Sequence, residues 1–194
     1  MQYIIQKQIS GSSINIVDRN TPQWQHADAM LTTEENLALV TFGADCSIIA
    51  FWKGNTIGVC HAGWQGYSQG LIKKMANQFA GGNCFIGPFL HSFEIKKDHA
   101  YKAITDYSGT SFINETEKGI FFDFQKAVRN EIFEMQVTED LRCTFDYPDL
   151  ASRRRDGPDA SKIQNKVTIW RIGDEVYTKL FCPAESHKDY FAKI

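Results

Sequence analysis

Cys46 and His61 are the two side chains whose types and settings point most directly to chemistry. Cys46 closes the segment Ala44-Asp45-Cys46, and His61 opens the segment His61-Ala62-Gly63-Trp64-Gln65-Gly66. A thiolate and a neutral imidazole are good ligands for zinc or copper. The same two groups also make a nucleophile and its base, the histidine lowering the thiol pKa. Most cysteines in apolar runs are small core residues, and most single histidines have no catalytic role. The neighbours favour function here. Glycine close to a histidine lets a ligand approach the backbone, and Trp64 offers a stacking surface for a planar base.

The second concentration of chemistry is Arg153-Arg154-Arg155. Consecutive arginines on a loop are ordinarily solvated, and only one or two can reach a single site. Such a cluster suits a phosphate or carboxylate better than a long polyanion. We read Arg153 as a surface charge. Cys60, Cys84, Cys143 and Cys182 are assigned to packing, and His99 and His187, in polar stretches, carry no functional weight.

These residues need elements to position them. Leu37 to Trp52 reads as two apolar strands interrupted at Gly43-Ala44-Asp45-Cys46, where small and polar residues mark a turn or bulge. A short buried strand follows and ends at His61. Leu71, Ile72, Met75 and Phe79 then follow helical spacing in the stretch 66–80, which Gly81 and Gly82 close. The pattern continues with a strand from Cys84 to Ile86, helices near Lys97 to Tyr107 and Phe122 to Met135, and a strand near Leu141 to Phe145. Phe124, Ala127, Val128, Ile132 and Phe133 form the apolar side of the second helix. Late strands cover Val167 to Ile172 and Glu175 to Phe181. Several strands follow one another directly, so the expected fold is α+β, with mixed sheets flanked by helices rather than a regular doubly wound sheet.

A chain of 194 residues is expected to form a single domain over 1–194. Its 43% hydrophobic and 23% charged residues are those of an ordinary globular protein. A net charge of -2 offers no general attraction to nucleic acid. The start lacks a basic region followed by a long apolar stretch, and no segment is long enough to span a bilayer. The expectation is a cytoplasmic monomer without membrane or nucleic-acid partners. Five scattered cysteines read as reduced thiols rather than a disulfide framework.

Ala27 to Thr32, Ala44 to Cys46, His61 to Gly66, Ile86 to Pro88, Phe93 to Ile95, Cys143-Thr144 and Ser152 to Asp156 follow a recognisable order and spacing. In this the chain resembles the laccase-domain or polyphenol-oxidase family, from about Gln8 to Asp156. Members of that family are regarded as purine nucleoside phosphorylases with adenosine deaminase and methylthioadenosine phosphorylase activities. The resemblance implies a zinc or copper ion held by one cysteine, here Cys46, and two histidines, one of them His61. The other family histidine lies in a Gln-Val-His-Gly motif, where this chain has Gln8-Ile9-Ser10-Gly11. A serine hydroxyl is a poor zinc ligand. His26 and His91 are the candidates for a third ligand; without one, the site is a metal-free Cys-His pair or an inactive remnant.

The resemblance further implies that Arg154 and Arg155 bind inorganic phosphate. It makes Asp28 and Glu94 acids that protonate purine N7 or orient a ribose hydroxyl, although a buried turn-capping carboxylate fits Asp28 as well. Trp64 and the Ser10 position belong to the substrate region. Gln65 stands where arginine is usual and Arg153 where tyrosine is usual, departures that bear on substrate orientation more than fold. The chain opens almost at the Ser10 motif, so fewer strands are expected ahead of it. The implied activity is phosphorolysis of adenosine- or inosine-type nucleosides, with metal-dependent deamination as a second activity. The alternatives are a cysteine hydrolase with Cys46 as nucleophile and His61 as base, and a non-catalytic binder. Laccase-like phenol oxidation is discounted, because a multicopper centre needs many more than 5 histidines.

Overall fold

Six of the seven residues of the strand Ser47–Lys53 (β6) are buried, so neighbouring layers must cover it on both faces. The computed structural model describes residues 1–162, 164–183 and 190–193, and His187 lies outside them. β6 is central in a six-stranded mixed sheet ordered β12 (Gln136–Glu139), β8 (Asn83–Ile86), β6, β7 (Thr56–Ala62), β4 (Ala29–Thr32), β2 (Ile14–Ile16). A second six-stranded sheet has the order β15 (Tyr190–Lys193), β14 (Glu175–Phe181), β13 (Asn165–Ile172), β5 (Leu37–Gly43), β1 (Gln2–Lys7), β3 (Trp24–His26). A three-stranded sheet, β10 (Ile113–Thr116), β11 (Gly119–Asp123) and β9 (Ser92–Ile95), completes the strands.

Strand alternation divides the core in two. Ile48, Ala50, Ile57 and Val59 face the second sheet and bury against Ile4, Leu39, Val167 and Ile169. Ile49, Phe51, Cys60 and Cys84 face the other way, onto Leu71, Ile72, Met75 and Phe79, with Phe124 and Val128 in the same cluster. The layers are therefore sheet, sheet and helices. This is the expected α+β class.

The helices are shorter than their apolar periodicity suggests. The stretch 66–80 forms two, α1 (Trp64–Ser68) and α2 (Leu71–Gln78), because Gly70 between them is left-handed at φ 71°. The helix α3 (His99–Ser108) begins at Asp98, whose carboxylate accepts from Ala100 N. The helix α4 (Phe124–Glu131) ends before Phe133, which is 75% exposed instead of lying on the apolar side. The strand expected near Leu141 to Phe145 does not form. Arg142 donates backbone and side chain to Asp140 and reaches Asp149, which curls the chain, and only a bridge from Phe89 to Cys143 remains. Among the described residues, no helix is long and apolar enough to cross a membrane.

Candidate active site

The β6–β7 ladder sets the geometry of the central pair. Ile48 stands opposite His61 and Ser47 opposite Ala62, so Cys46, just before β6, is diagonal to His61 across the ladder. Ser47 Oγ donates to Ala62 O at 2.9 Å. The Cys46 sulfur rests on the backbone of Gly63: a Cβ there would lie 2.8 Å from Sγ. That contact is the physical reason for glycine after His61-Ala62.

His61 N donates to Asp28 O at 2.9 Å. The Asp28 carboxylate is 1% exposed and accepts from Ile9 N and Gly11 N, both at 3.0 Å, and from Ser13 Oγ at 3.2 Å. It thereby holds the loop in which Ser10 is left-handed at φ 59°. The Gly11 carbonyl in turn packs on Gly66 of α1. Asp28 thus takes its turn-capping position.

Asp45 ties four segments together. Its carboxylate accepts from Thr144 Oγ1 and Ser152 Oγ at 2.8 Å each and from Arg154 N at 2.9 Å, while its carbonyl accepts from Leu90 N at 2.9 Å. Ser152 also caps the one-turn helix α5 (Arg153–Asp156). Asp45 and Thr144 join distant segments of the chain through a side-chain hydrogen bond. Their partners are about a hundred residues apart in the chain, and only the shared short motifs hinted at the contact.

A cavity of about 440 Å³ opens above the Cys46 thiol and Gly63, walled by Trp64, Leu90, Phe93 and Phe124, with Arg153 and Arg154 at its edge. The Arg154 guanidinium lies 4.8 Å from the centre of the Phe93 ring. Arg153, read from the sequence as a surface charge, lines this cavity. Arg155 turns away. Its guanidinium donates to the carbonyls of Thr144, Tyr147 and Leu150 and to both oxygens of Asp156, leaving it occupied as a staple. His99 packs edge-on against Trp64 at 5.4 Å, a ring contact that its polar surroundings concealed.

Glu94 and His91 lie elsewhere. Both line a neighbouring cavity of about 390 Å³ that shares Leu90, Phe93 and Arg154 with the first. Glu94 alternates with Phe93 along β9, and its carboxylate lies over Gly119. His91 packs on Phe89 and approaches Gln125 Nε2 at 3.5 Å. His26 is exposed at the end of β3, beside Lys7.

Burial pushes the Cys46 thiol up to about 11, helped by the Asp45 carboxylate and opposed by Arg153. Burial pushes the His61 imidazole down to about 4, opposed by Asp28. Both groups are therefore neutral at neutral pH. Among the described residues, no three His, Cys, Asp or Glu side chains gather as a metal-holding group. Cys46, His61 and the Ser10 hydroxyl do not make the donor set of a Cys-His-His ion.

Two mixed sheets with helices outside, joined by loops around a thiol and an imidazole, define an α+β protein of the laccase-like fold. Solved structures share it. A hypothetical protein YfiH from Bacillus licheniformis superimposes with a TM-score of 0.69 at 20% identity, covering 80% of this chain and 70% of its own. Protein NMB0706 of Neisseria meningitidis gives 0.69 at 19% identity, with 81% and 71% covered. The profile of the multi-copper polyphenol oxidoreductase laccase family matches residues 1–166, and the chain belongs to that family. Relatives named purine nucleoside phosphorylase include one from Borreliella burgdorferi, 27% identical over 86% of this chain and 78% of its own length. Another, from Rickettsia conorii, is 31% identical over 90% of this chain and 66% of its own length.

Proposed function

We propose that this chain is a purine nucleoside phosphorylase acting on adenosine- or inosine-type nucleosides in the Cys46 cavity. The observation that carries this reading is the free Arg154 guanidinium beside the aromatic walls Trp64 and Phe93. The relatives' names agree with it. Trp64 stacks the purine, and Arg154 holds inorganic phosphate through charge-assisted hydrogen bonds. A phosphate oxygen attacks ribose C1′ as the C1′–N9 bond breaks. The bond's electron pair leaves with the purine, which takes a proton from solvent, and ribose 1-phosphate remains. Orientation and charge neutralisation are the protein's contributions.

Arg155 serves this reading as the staple that holds α5, and Asp28 as the support of the Ser10 loop. Deamination at purine C6 receives no step, because the residues present do not fit the ion that would activate water. The raised Cys46 pKa leaves little thiolate at neutral pH, which weighs against the cysteine-hydrolase alternative.

Incubating the protein with adenosine or inosine, with and without phosphate, tests the proposal. Free base is expected only when phosphate is present, and Arg154→Gln is expected to lower kcat/KM for phosphate by about 10- to 100-fold, the worth of a charge-assisted bond. No base released under any condition overturns it.

A further inference from the structure

Phosphorolysis as proposed uses one guanidinium, and the cavity has two. Arg19, Arg129, Arg142, Arg155 and Arg171 each pair with a carboxylate. Arg153 and Arg154 make no such pair among the described residues, and both line the Cys46 cavity. The one carboxylate in that cavity wall, Asp45, is already engaged by Thr144, Ser152 and the Arg154 backbone. Two adjacent cations at a partly apolar cavity repel each other, and an incoming anion relieves that repulsion.

The two guanidiniums also occupy different places. Arg154 lies over Phe93 and borders both cavities, whereas Arg153 borders only the one that holds Cys46. The Cys46 cavity is thus bordered by two guanidinium groups, of which Arg153 belongs to it alone. A volume of about 440 Å³ is within the range of small-molecule sites.

We infer that the ligand of this cavity carries its own phosphoryl group, a purine nucleoside monophosphate, with Arg153 as the residue that selects for it. This rests on the purine reading above: Arg154 is reserved for the attacking phosphate, Arg153 meets the phosphoryl group of the ligand, and phosphorolysis of that ligand gives free purine and a ribose bisphosphate in place of ribose 1-phosphate. Arg153 is a specificity residue here, and its loss leaves the recognition of base and ribose intact.

Equilibrium binding of adenosine monophosphate, adenosine and inorganic phosphate to the full chain, at low salt and with no phosphate buffer, tests the inference. The monophosphate is expected to bind at least about tenfold more tightly than adenosine. Arg153→Gln is expected to erase that preference while adenosine affinity stays within about twofold. Arg153 is exposed and makes no ion pair among the described residues, so the variant folds as the parent does; the thermal midpoint checks this. The inference is overturned if the monophosphate binds no better than adenosine, if Arg153→Gln weakens both equally, or if it weakens only inorganic phosphate. Turnover plays no part in the measurement. A protein that prefers the monophosphate yet releases no base refutes phosphorolysis and leaves the inference standing.

Discussion

A thiol pushed up to about 11 next to an imidazole pushed down to about 4 has the wrong order of proton affinities for an ion pair at neutral pH. The proton stays on sulfur, and the imidazole stays neutral. The cavity wall at Cys46 then carries a hydrogen-bearing thiol at neutral pH. Its sulfur is seated on Gly63, and the contact fixes the floor of the cavity. Alkylation by iodoacetamide, read by mass spectrometry at the Cys46 peptide, is expected to run about a hundredfold slower at neutral pH than for a free thiol. The rate should rise as pH approaches the thiol pKa. A metal chelator should not change it, because no metal-holding group gathers around Cys46 among the described residues. Rapid labelling at neutral pH would restore the nucleophile, and labelling released by chelator would restore the ion.

At the scale of elements, the turn of helix Arg153–Asp156 decides what each arginine does. Arg155 is spent on the carbonyls of the 144–150 loop, while Arg153 and Arg154 are left for the cavity. The Asp45 carboxylate fixes that helix to β6, with three donors on one half-buried anion. Asp45→Ala is therefore expected to cost about 2–4 kcal/mol in urea unfolding by stranding the buried Thr144 and Ser152 hydroxyls, and Arg155→Gln about 2 kcal/mol by stranding the carbonyls of Thr144 and Leu150. Arg154→Gln should stay within about 0.5 kcal/mol, being a surface change. Equal losses for Arg154 and Arg155 would refute this division of labour. The places of Cys46 and His61 in the fold were legible in the sequence, because both sit at the ends of apolar runs that read as buried strands. The arginine division was not. Residues one apart on a helix point about 100° apart, and a loop folded from elsewhere determines which one meets carbonyls. The break at Gly70 was illegible for a related reason: helical spacing persists on both sides of a left-handed residue. The misplaced strand near Leu141 to Phe145 shows side-chain chemistry overriding apolar pattern, since the Arg142–Asp140 pairing bends the backbone.

The whole molecule places His61 in its central sheet, on the strand face that Ile57 and Val59 bury against the second sheet. Charging the imidazole there opposes folding itself. Its pKa lies at about 4 in the folded chain against an ordinary 6.5, so the unfolded chain binds the extra proton between those values. Stability is therefore full above about pH 6.5 and falls as pH drops toward 4. The shift corresponds to about 3 kcal/mol at the low end. Asp18 and Asp156, held below the usual carboxylate range by hydrogen bonds from Thr21 and from Arg155, add their loss only at lower pH, whereas His91, lowered by burial and by Arg129, shares the window with His61. Urea unfolding free energies measured at intervals from pH 7 to pH 4 should show this slope in the parent protein. His61→Asn, which removes the titrating ring, should give a lower but flatter curve across the same window. A variant curve as steep as the parent's would show that His61 does not carry the acid sensitivity, and that its imidazole is better solvated than its position between the sheets requires.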